Sequence, residues 1–309
     1  MSFAFVFPGQ GSQSIGMMQK LAEAFTSVQQ TFDEASSVLE INLWDIVSNG
    51  PEEKINSTDI TQPIMLTAGV ATWRIWQEQN GANPSMLAGH SLGEYTALVC
   101  AEAIEFKDAI KLVSVRGKYM QEAVPAGNGA MAAVLGLDDD TVKQVCQDAA
   151  QNEIVEAVNF NSPGQVVIAG NKPAVERAAE LAKQRGAKRA VILPVSVPSH
   201  CQLMKPAAEK LASVLADITI NKPALPVINN VDVAILDDAN AIRDALVRQL
   251  YQPVRWVEII QKMAASNMAR IIECGPGKVL FGLNRRIDKN LEHAAIIDKE
   301  SLLDQLNKN

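Results

Sequence analysis

The chain has 309 residues, of which 48% are hydrophobic and 20% are charged, and 28 Lys+Arg against 35 Asp+Glu give a net charge of −7. This apolar content argues against a disordered protein, because such a chain buries enough apolar surface to offset the entropy lost on ordering. The acidic balance argues against general affinity for nucleic acid, which depends on neutralising phosphates. A chain of this length predicts roughly two domains.

The four cysteines are isolated in the sequence, which predicts reduced thiols and neither a disulfide scaffold nor a metal site. The apolar run 3–7 is broken by Pro8 and Gly9 before the core of a secretory signal is complete. No uncharged apolar stretch reaches the length of about 18 residues that a membrane span requires. We therefore expect a cytoplasmic protein without a membrane segment.

Short apolar runs alternate with amphipathic stretches over the first 124 residues, which is the pattern of parallel strands joined by helices. In chain order, the predicted elements begin with a strand over 3–7, a helix from about 15 to 39, and a helix over 62–79 with Pro63 in its first turn. They continue with a strand over 85–88, a helix that follows the turn 89–93 and runs to about 103, and a helix over 106–124.

The pattern changes to βαββαβ between Pro125 and Pro198, which is the element order of a ferredoxin-like domain. The elements predicted there are strand 130–137, a helix after Asp140, strands 154–160 and 165–170, helix 173–184 and strand 189–195. The earlier pattern then resumes with helix 206–216, strand 225–231, helices 239–250 and 254–265, strand 270–273 and a helical region after Gly277. The sequence thus predicts an α/β protein with a large domain, 1–125 and 197–309, and a ferredoxin-like insertion, 126–196.

The strongest chemical signal is the segment Gly89-His90-Ser91-Leu92-Gly93, a G-x-S-x-G motif between a predicted strand and a predicted helix. A sharp turn at this place exposes the serine hydroxyl, and the N–H of Leu92 points toward a substrate oxygen. The alternative is a glycine-rich connection with a capping serine. The context favours a nucleophile.

A serine nucleophile needs a base, and the chain has three histidines. His90 adjoins the serine, so its side chain is directed away from the hydroxyl, and His293 lies in a charged segment typical of a solvated surface. His200 remains, at the proline-stiffened junction where the predicted insertion rejoins the large domain. No acid to orient His200 is evident, and a main-chain carbonyl is the alternative.

Arg116 points along the apolar face of its predicted helix, with Leu112, Val113, Tyr119 and Met120 three and four residues away. A guanidinium in such a place needs a partner. It either forms a structural ion pair in the core or binds a substrate carboxylate with its two-pronged donor geometry.

Six blocks of the sequence, taken together, resemble the bacterial malonyl-CoA:acyl carrier protein transacylase family. The resemblance extends from Phe3 to about Arg286, and the blocks occur in the family order: Phe7-Pro-Gly-Gln-Gly-Ser-Gln13, Gly89-His-Ser-Leu-Gly-Glu-Tyr95, Arg116-Gly117, Asn159-Phe-Asn-Ser-Pro-Gly-Gln165, Val195-Ser-Val-Pro-Ser-His200 and Gly275-Pro-Gly277. It implies an α/β-hydrolase-like large domain with the ferredoxin-like insertion and an active site between them.

The resemblance also implies roles for individual residues. Ser91 is expected to attack the thioester of malonyl-CoA, with His200 as base and then acid. The backbone carbonyl of Gln249 is expected to orient His200, and the amides of Gln10 and Leu92 to receive the oxyanion. Substrate-binding roles fall to three further residues: Arg116 for the malonyl carboxylate, with Asn159 and Met120.

The implied reaction moves malonyl from coenzyme A to Ser91 and then to the phosphopantetheine thiol of acyl carrier protein, in fatty acid biosynthesis, by a monomer that uses no cofactor or metal. Carrier proteins are acidic. Two basic segments are therefore candidate docking surfaces: residues 171–190, with six Lys/Arg and two Glu, and Arg285-Arg286.

Two other functions remain open. A serine hydrolase or thioesterase uses the same elbow and passes the acyl group to water. A catalytically silent module that binds carrier protein keeps the fold without acylating Ser91.

Overall fold

The computed structural model describes residues 2–195 and 197–308 and contains two separate β-sheets. The first is parallel, and its strands are β1 (Phe3–Phe7), β2 (Met86–Gly89), β7 (Val227–Ile228), β8 (Arg270–Cys274) and β9 (Glu292–Ile296). Across the sheet they lie in the order β7-β2-β1-β8-β9. The second is antiparallel, with order β4-β5-β3-β6. Its strands are β3 (Gly129–Leu135), β4 (Val155–Ser162), β5 (Gln165–Asn171) and β6 (Arg189–Ile192).

Helices precede, follow and connect these strands. Before β3 they are α1 (Gln19–Ala24), α2 (Thr26–Leu39), α3 (Leu43–Asn49), α4 (Glu52–Ile55), α5 (Thr58–Glu78), α6 (Leu92–Cys100) and α7 (Phe106–Ala123). After β3 they are α8 (Asp139–Ala150), α9 (Lys172–Gln184), α10 (Lys205–Ala216), α11 (Ala239–Gln249), α12 (Trp256–Ala265), α13 (Val279–Ile287) and α14 (Lys299–Leu306). Among the described residues, none of these helices combines the length and the apolarity that crossing a bilayer requires.

The central strand β1 is buried on both faces, which explains its uninterrupted apolar sequence. Successive side chains of a strand point to opposite faces of the sheet. Phe3, Phe5 and Phe7 therefore join the core formed with α2, α5, α6 and α7, while Ala4 and Val6 pack in a second core with α12 and α13. The parallel sheet is thus covered by helices on both sides, as in α/β folds.

The antiparallel sheet has the strand order of a ferredoxin-like βαββαβ unit, with α8 and α9 on one face. Its core consists of small and β-branched side chains, among them Val134, Val142, Ile168 and Val175. The predicted fold class, a large α/β domain with a ferredoxin-like insertion, is confirmed. The exact domain boundaries stay a prediction. Ser196, the last residue of the predicted insertion, lies outside the described residues, as do the end residues Met1 and Asn309.

Some predicted elements were wrong in detail. The single helix over 15–39 is two helices, because Phe25 has extended backbone between α1 and α2. Helix α5 begins at Thr58, so Pro63 lies inside the helix and not in its first turn. The helical region after Gly277 also contains a strand, β9, which pairs with β8. Helices α3 and α4 were not predicted, and β7 has two residues where the apolar run predicts seven.

Candidate active site

Ser91 occupies a sharp turn between β2 and α6, with a strained backbone at φ 52° and ψ −108°. The flanking glycines make the turn possible. A Cβ on Gly89 would lie 1.8 Å from the carbonyl carbon of Gly93, and a Cβ on Gly93 would lie 2.1 Å from the carbonyl oxygen of Phe7. Strand, elbow and helix therefore approach each other more closely than any side chain would allow, and the strained serine is presented at the end of the strand.

The imidazole of His200 lies directly on Ser91. Its Nε2 is 2.8 Å from the Ser91 Oγ, and its Nδ1 is 2.7 Å from the backbone carbonyl oxygen of Gln249. The carbonyl accepts a hydrogen bond from Nδ1–H, which leaves Nε2 without a proton and facing the hydroxyl. The backbone N–H of His200 also donates to the carbonyl of Leu250, at 2.9 Å, so the histidine is fixed twice to the end of α11.

His200 is 3% exposed, and burial lowers its pKa to about 3, with the nearby charge of Arg116 acting in the same direction. The imidazole is therefore neutral at neutral pH, as a general base must be. The other two histidines lie elsewhere. The ring of His90 bonds to the Asn161 side chain at 2.8 Å, and His293 is a half-buried residue of β9 that contacts the Asp288 carbonyl. His293 is thus less exposed than its charged surroundings predicted.

Arg116 is 1% exposed and reaches the nucleophile from helix α7. Its Nη2 donates to Ser91 Oγ at 3.3 Å and to the Gln249 Oε1 at 3.1 Å, while its Nη1 donates to Gln62 Oε1 at 2.7 Å. The adjacent Gly117 permits this placement, because a Cβ there would lie 2.7 Å from the Thr58 carbonyl oxygen of α5. A guanidinium so close to a nucleophilic oxygen is suited to hold a carboxylate on the group that this oxygen receives.

A buried polar network that the sequence did not reveal surrounds these three residues. The side chain of Asn230 accepts from the Ser91 N–H at 2.7 Å and donates to the Gly89 carbonyl at 2.7 Å, which braces the elbow. The side-chain amide of Gln249 donates to the Ser91 carbonyl at 3.0 Å and to Glu94 Oε2 at 2.8 Å. Glu94 directly follows the elbow motif, three residues after the serine.

The backbone amides of Leu92 and Gln10 are available as donors. Neither N–H donates to another group within residues 2–195 and 197–308. Leu92 is the first residue of α6, where the helix dipole adds positive potential. Gln10 belongs to the turn after β1, and its neighbour Gly9 packs against the elbow, since a Cβ there would lie 2.4 Å from the His90 carbonyl oxygen.

Asn159 and Met120, the two remaining predicted substrate-binding residues, are both buried. Met120 accepts a weak hydrogen bond at its Sδ from Gln62 Nε2, 3.6 Å away, and so supports the residue that holds Arg116. Asn159 lies on β4 of the insertion and pairs with Val254 of the large domain. Their contact with substrate stays a prediction. Within the described ranges, no group of three or more His, Cys, Asp or Glu side chains is arranged to hold a metal ion.

Nearly the whole chain matches one family, since the model of the acyl transferase domain aligns with residues 4–309. The chain belongs to the acyl transferase family. A malonyl CoA-acyl carrier protein transacylase from Escherichia coli K12 is 57% identical over 300 residues, which are 97% of this chain and 97% of that protein. The protein of the same name from Bacillus subtilis 168 is 46% identical, over 97% of this chain and 94% of that protein.

Solved structures of this acyl transferase family superpose on the chain almost completely. One is a malonyl-transacylase in complex with its type II PKS acyl-carrier protein, with a TM-score of 0.99, 58% identity and full coverage of both chains. Another is an acyl carrier protein S-malonyltransferase from Vibrio cholerae, with a TM-score of 0.96, 59% identity, and coverage of 98% of this chain and 99% of that one. The resemblance seen in the sequence blocks, and the prediction of an acyltransferase, are confirmed.

Proposed function

We propose that this acyltransferase is a malonyl-CoA:acyl carrier protein transacylase that works by a ping-pong mechanism through a malonyl ester of Ser91. One observation carries the proposal: the Ser91 hydroxyl lies between a neutral imidazole at 2.8 Å and a buried guanidinium at 3.3 Å. The imidazole supplies a base, and the guanidinium selects an acyl group that ends in a carboxylate. Relatives at 57% and 46% identity bear this name.

In the first half-reaction, Ser91 Oγ transfers its proton to His200 Nε2 and attacks the thioester carbonyl carbon of malonyl-CoA. The amides of Gln10 and Leu92 receive the oxyanion, a contribution typically worth about 3–4 kcal/mol for each donor. The intermediate collapses with cleavage of the C–S bond. His200 returns the proton to the sulfur of the leaving coenzyme A, and the malonyl group stays on Ser91.

In the second half-reaction, the phosphopantetheine thiol of acyl carrier protein gives its proton to His200 and attacks the ester. Ser91 leaves as the alkoxide and recovers the proton from Nε2. The Gln249 carbonyl bonds Nδ1 throughout and stabilises the imidazolium that forms in each step. These groups account for both transfers with no cofactor or metal in the scheme. We assign the reaction to fatty acid biosynthesis, as the family resemblance implies.

The two basic segments of the sequence meet in the fold. Arg189 of β6 pairs with Leu135 of β3, and Leu135 pairs with Gln165 of β5. Gln165 Oε1 accepts a hydrogen bond from Arg286 Nη1 at 2.7 Å. Two strand spacings therefore separate the Cα atoms of Arg189 and Gln165, about 10 Å. Arg189 and Arg286, with their sequence neighbours Lys188 and Arg285, form a basic surface, which we name the 188/286 surface.

The 188/286 surface suits an acidic carrier protein better than helix α9 does. Arg177 and Lys183 of α9, and Arg185 just after it, are paired with Glu153, Glu180 and Asp148. By contrast, the side chains of the 188/286 surface are exposed and none of them forms an ion pair among the described residues. We therefore propose that acyl carrier protein docks on the 188/286 surface.

Reversing the charge of this surface should weaken the binding of acyl carrier protein and leave the reaction with malonyl-CoA unaffected. In Arg189→Glu/Arg286→Glu, we expect the KM for acyl carrier protein to rise at least about tenfold, because like charges then face each other. Acylation of Ser91 by malonyl-CoA alone, followed by rapid quench, should be unchanged. Lys183→Glu/Arg185→Glu is the matched control with the same change in net charge, since these two cations are already paired with Glu180 and Asp148. Equal effects of the two variants would place docking elsewhere.

The function itself is tested by supplying malonyl-CoA and carrier protein and measuring both products. We expect malonyl-carrier protein to form at the rate at which free coenzyme A appears. Rapid release of free malonate without malonyl-carrier protein would identify a hydrolase or thioesterase instead. No consumption of malonyl-CoA, with carrier protein still bound, would identify a catalytically silent binding module.

A further inference from the structure

Arg116 is a fully buried cation, and its hydrogen-bond acceptors in the described part of the chain are all uncharged. They are the side-chain oxygens of Gln62 and Gln249 and the hydroxyl of Ser91. Its guanidinium carbon lies 5.3 Å from the centre of the Tyr95 ring, which adds a cation–π contact. A buried charge normally needs a charged partner, since its desolvation costs several kcal/mol.

A carboxylate that the transfer mechanism does not use lies one amide away. Glu94 is 3% exposed, and its Oε2 accepts from Gln249 Nε2 at 2.8 Å and from the Asn230 N–H at 2.9 Å. The Gln249 side chain therefore binds Arg116 with its oxygen and Glu94 with its nitrogen. Cation, amide and carboxylate form a hydrogen-bonded chain. The negative end of the amide dipole faces the guanidinium, and the positive end faces the carboxylate.

The two charges influence each other across this amide. Burial raises the pKa of Glu94 to about 7, and the charge of Arg116 opposes that rise. Burial likewise lowers the pKa of Arg116, and the neighbouring Tyr95 and Glu94 oppose that shift. At pH 8.5, where Glu94 is ionised, the pair is close to neutral as a unit.

We propose that Glu94 is the counter-charge of Arg116 and a positioning residue for it: held one amide away, it balances the buried guanidinium without occupying the N–H groups that receive the acyl carboxylate. A direct ion pair would have to be broken in every catalytic cycle. The inserted Gln249 amide removes that need and keeps Arg116 aimed at Ser91. This inference rests on the proposed function for the identity of the acyl group.

The electrostatic link is tested by a double-mutant cycle of urea unfolding at pH 8.5. Glu94→Gln keeps an acceptor oxygen for Gln249 and Asn230 but removes the charge. We expect it to lower the unfolding midpoint when Arg116 is present, and to leave the midpoint unchanged or raise it in the Arg116→Gln protein, where a lone buried carboxylate is unfavourable. The same loss in both backgrounds would show that Glu94 is only a hydrogen-bond acceptor.

The functional consequence is tested by calorimetric binding of malonyl-CoA and acetyl-CoA to Ser91→Ala protein, which cannot be acylated. Adding Glu94→Gln leaves Arg116 without a counter-charge, so we expect the Kd for malonyl-CoA to fall about threefold to tenfold, with the Kd for acetyl-CoA unchanged. If Glu94 had a purely structural role, the substitution would weaken the binding of both ligands alike. An unchanged or raised Kd for malonyl-CoA would overturn the inference.

Glu273→Gln is the matched control. Glu273 is equally buried, its pKa is also raised to about 7 by burial, and it binds the backbone N–H groups of Leu280 and Phe281 at the start of α13. This variant should lose stability with no selective change in malonyl-CoA affinity. If Ser91→Ala protein bound malonyl-CoA and acetyl-CoA equally, the proposed acyl selectivity would fail, whereas the unfolding cycle would still decide whether Glu94 balances Arg116.

Discussion

Arg116→Ala should lose transfer of malonyl groups by a factor on the order of 10²–10³, while transfer of uncharged acyl groups such as acetyl is retained or increased. The malonyl carboxylate would lose the charge-assisted hydrogen bonds of a guanidinium that is only 1% exposed. An uncharged acyl group makes no such bonds, so it would lose nothing when the guanidinium is removed. The measurement is kcat/KM for malonyl-CoA and for acetyl-CoA with the same carrier protein.

Arg74→Ala provides the matched control for this prediction. Arg74 is another arginine of the large domain; it is partly buried, and its partners are Glu34 and Thr31, on α2. Its removal should change stability and leave the preference for malonyl over acetyl intact. An unchanged preference in Arg116→Ala itself would show that selectivity resides in another residue.

His200→Ala should slow acylation of Ser91 by on the order of 10⁴-fold, because no other group in residues 2–195 and 197–308 is placed to take the hydroxyl proton. Of its two hydrogen-bond partners in those ranges, the Ser91 hydroxyl would keep Arg116, which is a donor and cannot act as a base. The rate is measured as release of coenzyme A from malonyl-CoA in a single turnover, without carrier protein. Since both of the proposed half-reactions pass the proton through Nε2, transfer from a preformed malonyl enzyme to carrier protein should be slowed as well.

The control for His200 is His293→Ala, which removes a half-buried imidazole of β9 that bonds to the Asp288 carbonyl. We expect normal acylation in that variant. Acylation at an undiminished rate in His200→Ala would require a different base, and the roles of Ser91 and His200 would have to be reassigned.

The sequence predicted the elbow at Ser91 because part of its geometry is local. Gly89 is required by a contact of 1.8 Å with Gly93 inside the motif, whereas Gly93 is required by a contact of 2.1 Å with Phe7 of the neighbouring strand β1. Elimination among three histidines selected His200, whose Nε2 lies 2.8 Å from Ser91 Oγ, and its role as the base stays a prediction. The apolar neighbours of Arg116 three and four residues away showed correctly that its side chain points inward.

The supporting network was beyond prediction because its contacts span large sequence separations. Asn230 reaches the Ser91 amide across 139 residues, and Gln249 reaches the Ser91 carbonyl across 158. Nothing in local periodicity reports such pairs. Only the order of the strands brings the segment after β7 beside the elbow, since β7 pairs with β2.

Neither the basic surface nor strand β9 could be predicted from the sequence, because both depend on which strands pair. The sequence offered two separate cationic segments and no means to choose between them. The pairing of β6 with β3 and of β3 with β5 places Arg189 two strand spacings from Gln165, and Gln165 binds Arg286. Likewise, β9 forms only because β8 offers it a partner edge. The break at Phe25 is not marked by an adjacent proline or glycine, and the apolar pattern continues across it. The sequence therefore did not reveal this break.

Ser91 is proposed to carry the acyl group between two thiols, and the mass of the acylated protein tests this role most directly. The protein is mixed with malonyl-CoA in the absence of carrier protein, quenched in acid, and analysed intact and after proteolysis. We predict an increase equal to one malonyl group, located on the peptide that contains Ser91 and absent in Ser91→Ala. An unmodified protein, or a malonyl group that persists in Ser91→Ala, would contradict the account.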